Sequence, residues 1–147
     1  MSRKQSVTDS DVGDMLTQKG YRRTAGRMAL LEILSKTRRP LSIAEIIRLW
    51  KKDPLDQATL YRALEDFART GVVHRSDLNT GTARYEYLHG RPHHHHLVCA
   101  KCELVEDVEV CVITEAQKKV LQRSSSFTAV YSHNLEFFGL CTACSKV

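Results

Sequence analysis

The sequence predicts an α+β protein of two small domains: an N-terminal winged helix-turn-helix and a small C-terminal α/β domain stapled by a zinc ion with four cysteine ligands. Three features of the 147 residues support this prediction. Helical periodicity gives way to a β-hairpin, two Cys-x-x-Cys pairs occur in the last third of the chain, and charge is unevenly distributed. Residues 1–92 contain 17 Lys and Arg against 11 Asp and Glu, whereas residues 93–147 contain 5 against 6. Because a basic surface attracts phosphate backbones, the two halves are expected to have different partners.

Four helices are predicted in the first half, because apolar residues recur there at helical spacing. Each helix begins at a residue whose side chain can accept a hydrogen bond from the first helical turn. Ser42 and Glu45 also fit the capping box, in which two side chains satisfy each other's backbone N–H groups. The predicted helices are, in order, 8–19 from Thr8 or Asp9, 25–35 from Thr24, 43–50 from Ser42 and 57–69 from Asp56.

Two short strands are predicted after the fourth helix, over 72–76 and 83–87. Between them, Asn79-Thr80-Gly81 is a hairpin-turn signal. Helices followed by such a hairpin have the layout of a winged helix-turn-helix, in which the last helix enters the major groove and the hairpin forms the wing. The pattern is interrupted at about 89–92, so the predicted domains span 1–88 and 93–147.

The second half is predicted to contain a short buried strand over 97–99, a strand over 104–110, a helix over 114–123 and a strand over 127–135. No apolar run approaches the length of a membrane span, and the first 14 residues are polar rather than signal-like. The expected location is therefore cytoplasmic, without a membrane partner. In a reducing compartment, Cys-x-x-Cys pairs are interpreted as metal ligands before disulfides.

Two cysteine pairs, Cys99/Cys102 and Cys141/Cys144, predict one structural Zn(II) site. A two-residue spacer allows both sulfurs of a turn to face one ion, and four thiolates match a tetrahedral zinc. The alternative is a pair of redox-active dithiols, but neither pair lies at the clear strand-to-helix start that a thioredoxin-like motif requires. Cys111 is left over, and we interpret it as a small half-buried helix residue.

Four consecutive histidines, His93 to His96, precede the first cysteine pair. If this run enters the following strand in an extended conformation, its side chains alternate between two faces. His93 and His95 then face one way and His94 and His96 the other, so one tetrapeptide can supply two metal sites. The alternative interpretation is a solvated surface run or the remnant of a purification tag.

Four stretches of the chain resemble the ferric uptake regulator family of bacterial metal-dependent repressors. The resemblance extends over nearly all of residues 10–145 and implies a DNA-binding winged helix followed by a dimerisation domain. Members of this family bind operator DNA as homodimers when loaded with metal. The matching stretches are Gly20-Tyr21-Arg22-Arg23-Thr24-x-x-Arg27, Ala58-Thr59-Leu60-Tyr61-Arg62-Ala63-Leu64, His93 to Cys102, and Gly139-x-Cys141-x-x-Cys144.

The resemblance also implies which residues contact DNA. Tyr61 and Arg62 match the family's recognition helix, with Thr59 near a phosphate. A tyrosine ring suits a thymine methyl group, and a guanidinium suits a phosphate or a base edge. Arg22 and Arg27 match positions that contact the backbone or the minor groove.

The resemblance further implies two metal sites in addition to the cysteine site. The family's regulatory site lies between its domains, and a second site lies within the dimerisation domain. The chain differs from iron-responsive members, which bring a histidine from the segment where this chain has Pro40. His74 instead resembles a ligand of zinc-responsive members. The implied regulatory ligands are Glu86, His94, His96 and Asp107, with His74 as a further candidate; the implied second set is His93, His95, Glu115 and His133.

The leading functional hypothesis is therefore a metal-responsive repressor of metal-uptake genes, and not an enzyme. The nitrogen and oxygen ligands of the regulatory site suit Fe(II), Zn(II) and Mn(II) alike, so the sensed metal stays open. One alternative within the family is a peroxide sensor that uses bound Fe(II). Two alternatives from other classes are a zinc metalloenzyme and a metal-storage or structural zinc module.

Overall fold

The computed structural model describes residues 7–37, 39–51, 56–78, 80–111 and 113–146. The chain divides into two compact units, Met1–Arg91 and Pro92–Val147, which are considered separately. Within the described residues, no helix combines the length and the apolar character needed to cross a membrane.

The first unit contains four helices whose starts match the predicted caps. The Thr8 side chain accepts a hydrogen bond from the backbone N–H of Asp11, and the Asp11 carboxylate accepts one from the backbone N–H of Thr8. Ser42 and Glu45 form the second capping box. The helices are α1 (Asp9–Gln18), α2 (Ala25–Lys36), α3 (Ile43–Leu49) and α4 (Gln57–Arg69).

A small antiparallel sheet completes this unit and forms the predicted hairpin. Its strands are β1 (Leu41–Ser42), β2 (Val73–Ser76) and β3 (Arg84–Tyr87), in the order β1-β3-β2. Of the predicted turn, Asn79 lies outside the described residues, and Gly81 has a positive φ of 73°. The helices and the sheet enclose one apolar core that includes Leu31, Phe67 and Tyr85. Strand β1 was not predicted, because two residues carry no detectable periodicity.

Glu45 joins the start of α3 to the sheet by two ion pairs. Its carboxylate oxygens lie 2.8 Å from Nη1 of Arg39 and 2.9 Å from Nη1 of Arg84, whose side chain is only 8% exposed. Burial by itself raises the pKa of Glu45, but the Ser42 backbone N–H and the Arg39 guanidinium outweigh it, so the pKa lies below 4.5. The carboxylate therefore stabilises the fold where it is ionised.

We expect Glu45→Gln to lower the free energy of unfolding by about 2 kcal/mol at neutral pH, because it neutralises the partner of a buried guanidinium. Since folding lowers the pKa of Glu45, this stabilisation is present above pH 4.5 and is lost as the pH falls through the folded-state value. Urea denaturation followed by the fluorescence of Trp50, the single tryptophan, measures the difference. The control is Glu32→Gln, which removes a surface pair with Lys36. Equal losses in both variants would contradict the assignment.

The second unit is built on a three-stranded mixed sheet and one helix. The strands are β4 (His95–Cys99), β5 (Val105–Val108) and β6 (Glu136–Gly139), in the order β5-β4-β6, and the helix is α5 (Thr114–Gln122). β4 pairs antiparallel with β5 and parallel with β6. Only Val98, Cys99 and Val105 are buried hydrophobic residues among the described part of this unit, so its apolar core is very small.

Three sequence-based expectations for this unit are wrong. The predicted strand over 127–135 is irregular chain, and the strand that pairs with β4 is β6, immediately after it. Leu97 was expected to be buried with its neighbours but is 41% exposed. Cys111 is neither helical nor half-buried, since it lies exposed in the segment between β5 and α5. Long-range strand pairing, rather than local alternation, decides where the last strand forms.

Candidate metal centres

The two cysteine pairs converge at one end of the second unit. The parallel pairing of β4 with β6 places Cys99 opposite Gly139, and the Ala100 N–H donates to the Gly139 carbonyl at 2.8 Å. Sequence positions 99–102 and 141–144 are thereby brought side by side. The cysteine cluster comprises Cys99, Cys102, Cys141 and Cys144, whose sulfur atoms all lie within 4.8 Å of one another.

The geometry of the cysteine cluster fits a tetrahedral zinc. Two thiolates that bind zinc at ~2.3 Å lie ~3.75 Å apart, and the Sγ atoms of Cys102 and Cys141 are separated by 3.7 Å. The Cys141 N–H donates to Cys99 Sγ at 3.4 Å, and this bond with other backbone N–H groups lowers the pKa of Cys99 to about 6. Thiol neighbours Cys141 and Cys102 raise the pKa of Cys144 to about 12. Cys99 is therefore a thiolate at neutral pH, which is the form that binds metal.

The even-numbered histidines form a second candidate site with an acidic residue. The rings of His94 and His96 are 5.3 Å apart, and Asp107 is the cross-strand partner of His96 on β5. His96 Nε2 lies 3.7 Å from Asp107 Oδ1. His94, His96 and Asp107, the even-histidine cluster, offer ligand atoms within 4.8 Å of one another. Two imidazoles and a carboxylate leave coordination positions for further ligands, which suits a reversibly bound ion.

The other two residues implied for this site belong to the first unit. Glu86 lies on β3, is 1% exposed, and forms an ion pair with Arg91. A buried carboxylate of this kind is costly unless it is paired or bound to a metal. His74 is the cross-strand partner of Glu86 on β2, but it is exposed and belongs to none of the candidate ligand groups among the described residues.

The odd-numbered histidines form a third group on the opposite face of the strand. His93, His95 and His133 have ring centroids between 4.7 and 5.2 Å apart. The odd-histidine cluster consists of His93, His95, His133 and Cys111. Burial, together with the neighbouring His93, lowers the pKa of His95, which favours the neutral imidazole that binds metal.

Glu115 does not belong to this cluster, although the family resemblance implied it. Its carboxylate lies on the exposed side of α5 and pairs with Lys118 at 3.0 Å. Cys111, which was not predicted as a ligand, contacts His133 instead. The sequence did hold one indication of this contact, because Cys111 belongs to neither Cys-x-x-Cys pair and lies shortly before the predicted helix over 114–123.

The residues implied for DNA binding lie on the surface of the first unit. On α4, Tyr61 is 49% exposed and Arg62 is exposed, whereas Leu60 and Leu64 face the core. The Thr59 hydroxyl donates to the Asp56 carboxylate at 2.6 Å, so it helps to cap α4. α4 therefore presents a polar and aromatic face to solvent, while its apolar face packs against the core of the first unit.

The two arginines that precede α4 in the chain differ in how firmly they are held. Arg27 lies over the Tyr21 ring, with its guanidinium carbon 5.0 Å from the ring centroid. The Tyr21 hydroxyl donates to the Asp66 carbonyl at 3.1 Å, which attaches this stack to α4. Arg22 is exposed, and its carbonyl accepts hydrogen bonds from Thr24 and Arg27. The side chain of Arg27 is thus held in place before it meets DNA. For Arg22, only the backbone carbonyl is held by these hydrogen bonds, and the side chain is exposed.

Comparisons with known proteins identify relatives along most of the chain. A sequence model of the ferric uptake regulator family matches residues 18–138. The ferric uptake regulation protein of Legionella pneumophila is 32% identical over 132 residues, which cover 88% of this chain and 95% of that protein. The crystal structure of the Vibrio cholerae ferric uptake regulator has 27% identity and a TM-score of 0.73, over 88% of this chain and 98% of that one.

A further solved structure supports the fold alone. The Helicobacter pylori ferric uptake regulator, for which three functional metal binding sites are described, has a TM-score of 0.78 and covers 97% of both chains. Its sequence is 21% identical to this one.

Proposed function

This chain belongs to the ferric uptake regulator family, and we propose that it is a metal-responsive transcriptional repressor that binds operator DNA as a homodimer and controls metal-ion uptake genes. The relatives are named as regulation proteins rather than enzymes, and we assign no catalytic role to the metal sites. The even-histidine cluster carries the proposal, because the buried His96 and the half-buried His94 and Asp107 form an incomplete ligand set that is separate from the cysteine cluster.

We assign structural and regulatory roles to different clusters. Four thiolates hold zinc tightly and leave no open position, so the cysteine cluster is structural. His94, His96 and Asp107 would hold the regulatory ion, with Glu86 as a further ligand from the hairpin. A divalent cation bound there would accept lone pairs from the imidazole nitrogens and would offset the negative charge of the carboxylates. An ion that binds the DNA-competent state of the protein more tightly than the other state meets the requirement for coupling.

The ligand types restrict the metal without choosing one. Imidazole and carboxylate suit Fe(II), Mn(II) and Zn(II), and no thiolate is available in the even-histidine cluster to favour zinc. We therefore propose Fe(II) or Zn(II) as the regulatory ion, with Mn(II) as the third candidate, and structural Zn(II) in the cysteine cluster.

The exposed apolar side chains of the second unit support the proposed homodimer. Ten of the thirteen exposed large hydrophobic side chains among the described residues lie in this unit, and no described residue of α5 is buried. Single domains rarely leave so much of their apolar surface in water, and a second copy of the chain is the partner that the family implies. Sedimentation equilibrium should give twice the chain mass of 16.7 kDa. A monomer at micromolar concentration would exclude this part of the proposal.

The experiment that tests the function is selection of DNA by the zinc-replete protein from a random duplex pool, with and without added Fe(II), Mn(II) or Zn(II). We expect enrichment of a palindromic sequence only with added metal, because a symmetric dimer reads two half-sites. Enrichment that is identical with and without metal, or no enrichment under any condition, would contradict the proposal.

We expect Tyr61→Ala to weaken binding to the selected operator by about 1–3 kcal/mol, while binding to unrelated DNA changes little. The matched variant is Arg62→Ala: if this guanidinium binds phosphate, both operator and unrelated DNA lose affinity and the salt slope falls by about 1. Both side chains are exposed on α4, so thermal unfolding should not change. Fluorescence anisotropy at several salt concentrations measures the affinity for operator, the affinity for unrelated DNA and the salt dependence of both. Tyr61→Ala with unchanged operator affinity would remove α4 as the recognition helix.

A further inference from the structure

We propose that Cys111 is a metal ligand, and that the odd-histidine cluster is a zinc site with three imidazoles and one thiolate. This inference rests on the metal-binding part of the proposed function and names the ligand set and the metal of one of its sites. It differs from the site that the family resemblance implies, in which Glu115 of α5 supplies a carboxylate.

The interatomic distances in the cluster match those that a tetrahedral zinc requires. With zinc bonds of ~2.05 Å to nitrogen and ~2.3 Å to sulfur, a nitrogen and a sulfur ligand lie ~3.6 Å apart and two nitrogens ~3.3 Å apart. Cys111 Sγ lies 3.6 Å from His133 Nε2, and the Nε2 atoms of His93 and His95 are separated by 3.1 Å. All four ligand atoms lie within 4.8 Å of one another.

In His95 and His133 the Nδ1 atom already has a polar neighbour outside the cluster, and the Nε2 atom faces the other members of the cluster. His95 is 4% exposed, and its Nδ1 lies 3.2 Å from the Leu135 carbonyl, which can only accept a hydrogen bond. Nδ1 therefore carries the proton, and the Nε2 lone pair faces His93. The Gln117 amide nitrogen lies 3.0 Å from Nδ1 of His133. Turning that amide by 180° would place its oxygen there as the acceptor for an Nδ1–H, which would leave the Nε2 lone pair of His133 facing Cys111. Such outer partners fix the tautomer of histidines that bind metal.

The position of Cys111 in the chain explains why it can replace Glu115. Cys111 lies three residues after the last residue of β5, Val108, which is the cross-strand partner of His95, and it precedes α5. Glu115 lies in the first turn of α5 and is paired with Lys118, with side chains 75% and 64% exposed. A carboxylate in that position has a partner, whereas the Cys111 thiol has the three imidazoles within reach.

A thiolate changes which metal the site prefers. Thiolate and imidazole ligands in tetrahedral geometry favour Zn(II), whereas Fe(II) and Mn(II) are better served by carboxylates and more coordination positions. The odd-histidine cluster and the even-histidine cluster therefore differ in chemistry, although their histidines alternate along one tetrapeptide. We infer that zinc fills the odd-histidine cluster even when the even-histidine cluster holds another metal.

The test is a Co(II) titration of the full-length protein in which zinc occupies the cysteine cluster, without oxygen and with a phosphine reductant. Co(II) bound through a thiolate gives a charge-transfer absorption in the near ultraviolet, and the cysteine cluster is already filled. Zinc content must stay at one ion per chain throughout, so that the band does not arise from exchange at that cluster. The variants are Cys111→Ser, Glu115→Gln and His94→Ala.

We expect the charge-transfer band in the wild-type protein, in Glu115→Gln and in His94→Ala, and its loss in Cys111→Ser. Zinc affinity measured against a chelating dye should fall in Cys111→Ser by more than the ~10–100-fold typical of losing an outer-sphere partner, and should be unchanged in Glu115→Gln. A wild-type protein without the band, a Cys111→Ser protein that keeps it, or a Glu115→Gln protein that loses it would overturn the inference. Because the assay contains no DNA, a failure of the repressor function does not affect it.

Discussion

Replacing Cys141 with serine is expected to unfold the second unit while the helices of the first unit persist. The described part of the second unit has three buried hydrophobic residues, which is too few to support an independent fold. A tetrathiolate zinc contributes on the order of 10 kcal/mol, which is larger than the total stability of many domains. The first unit has its own apolar core around Leu31 and Phe67 and does not depend on that zinc.

Hydrogen exchange measured by mass spectrometry would locate the loss, because it reports each segment separately. We expect amides of β4, β5 and β6 to exchange at unprotected rates in Cys141→Ser, and zinc content to fall below one ion per chain. The control is Glu115→Gln, which changes an exposed side chain outside the ligand groups found among the described residues and should keep both the zinc and the protection. A zinc-free protein with a protected second unit would show that the cysteine cluster is not structural.

Replacing both His94 and His96 with alanine is expected to abolish metal-stimulated operator binding while the structural zinc is retained. The two rings offer the nitrogen ligands of the even-histidine cluster, so the variant would lack the proposed regulatory site. The loss should equal the whole coupling free energy, typically 1–3 kcal/mol or about 5–150-fold in operator affinity. Anisotropy titrations at fixed salt, with and without metal, measure it.

Two further variants separate this effect from misfolding. His96 is buried beside Asp107, so its removal has a structural cost, whereas His94 is half-buried and its single replacement tests the site more gently. His89→Ala is the control, because His89 is exposed and belongs to none of the ligand groups found among the described residues. Metal stimulation that survives in His94→Ala and in the double variant would exclude the even-histidine cluster as the sensor.

The sequence predicted those parts of the fold that depend on local interactions. Helix starts were predictable because a cap joins residues three apart, as Ser42 and Glu45 do. The cysteine cluster was predictable because each pair is formed within one turn. The alternation of the histidines followed from the geometry of an extended strand.

Features that depend on distant pairing were not predictable in the same way. The prediction of a strand over 127–135 was wrong, because the strand β6 forms where the chain pairs with β4 from His96 to Cys99. Pairing between distant segments leaves no local signal in the sequence. Cys111 was interpreted as a small half-buried helix residue, but it is exposed and lies before α5. Its contact with His133 joins positions 22 residues apart, which only the folded chain reveals.

The most direct test of the regulatory account is the affinity of the zinc-replete protein for its second metal, measured with and without operator DNA at one salt concentration. If an ion in the even-histidine cluster favours the DNA-binding state, operator must raise the affinity for that ion by the same factor by which the ion raises operator affinity. We predict equal factors in the wild-type protein and a factor of one in the His94/His96 double variant. A metal affinity that operator leaves unchanged in the wild-type protein would contradict the coupling.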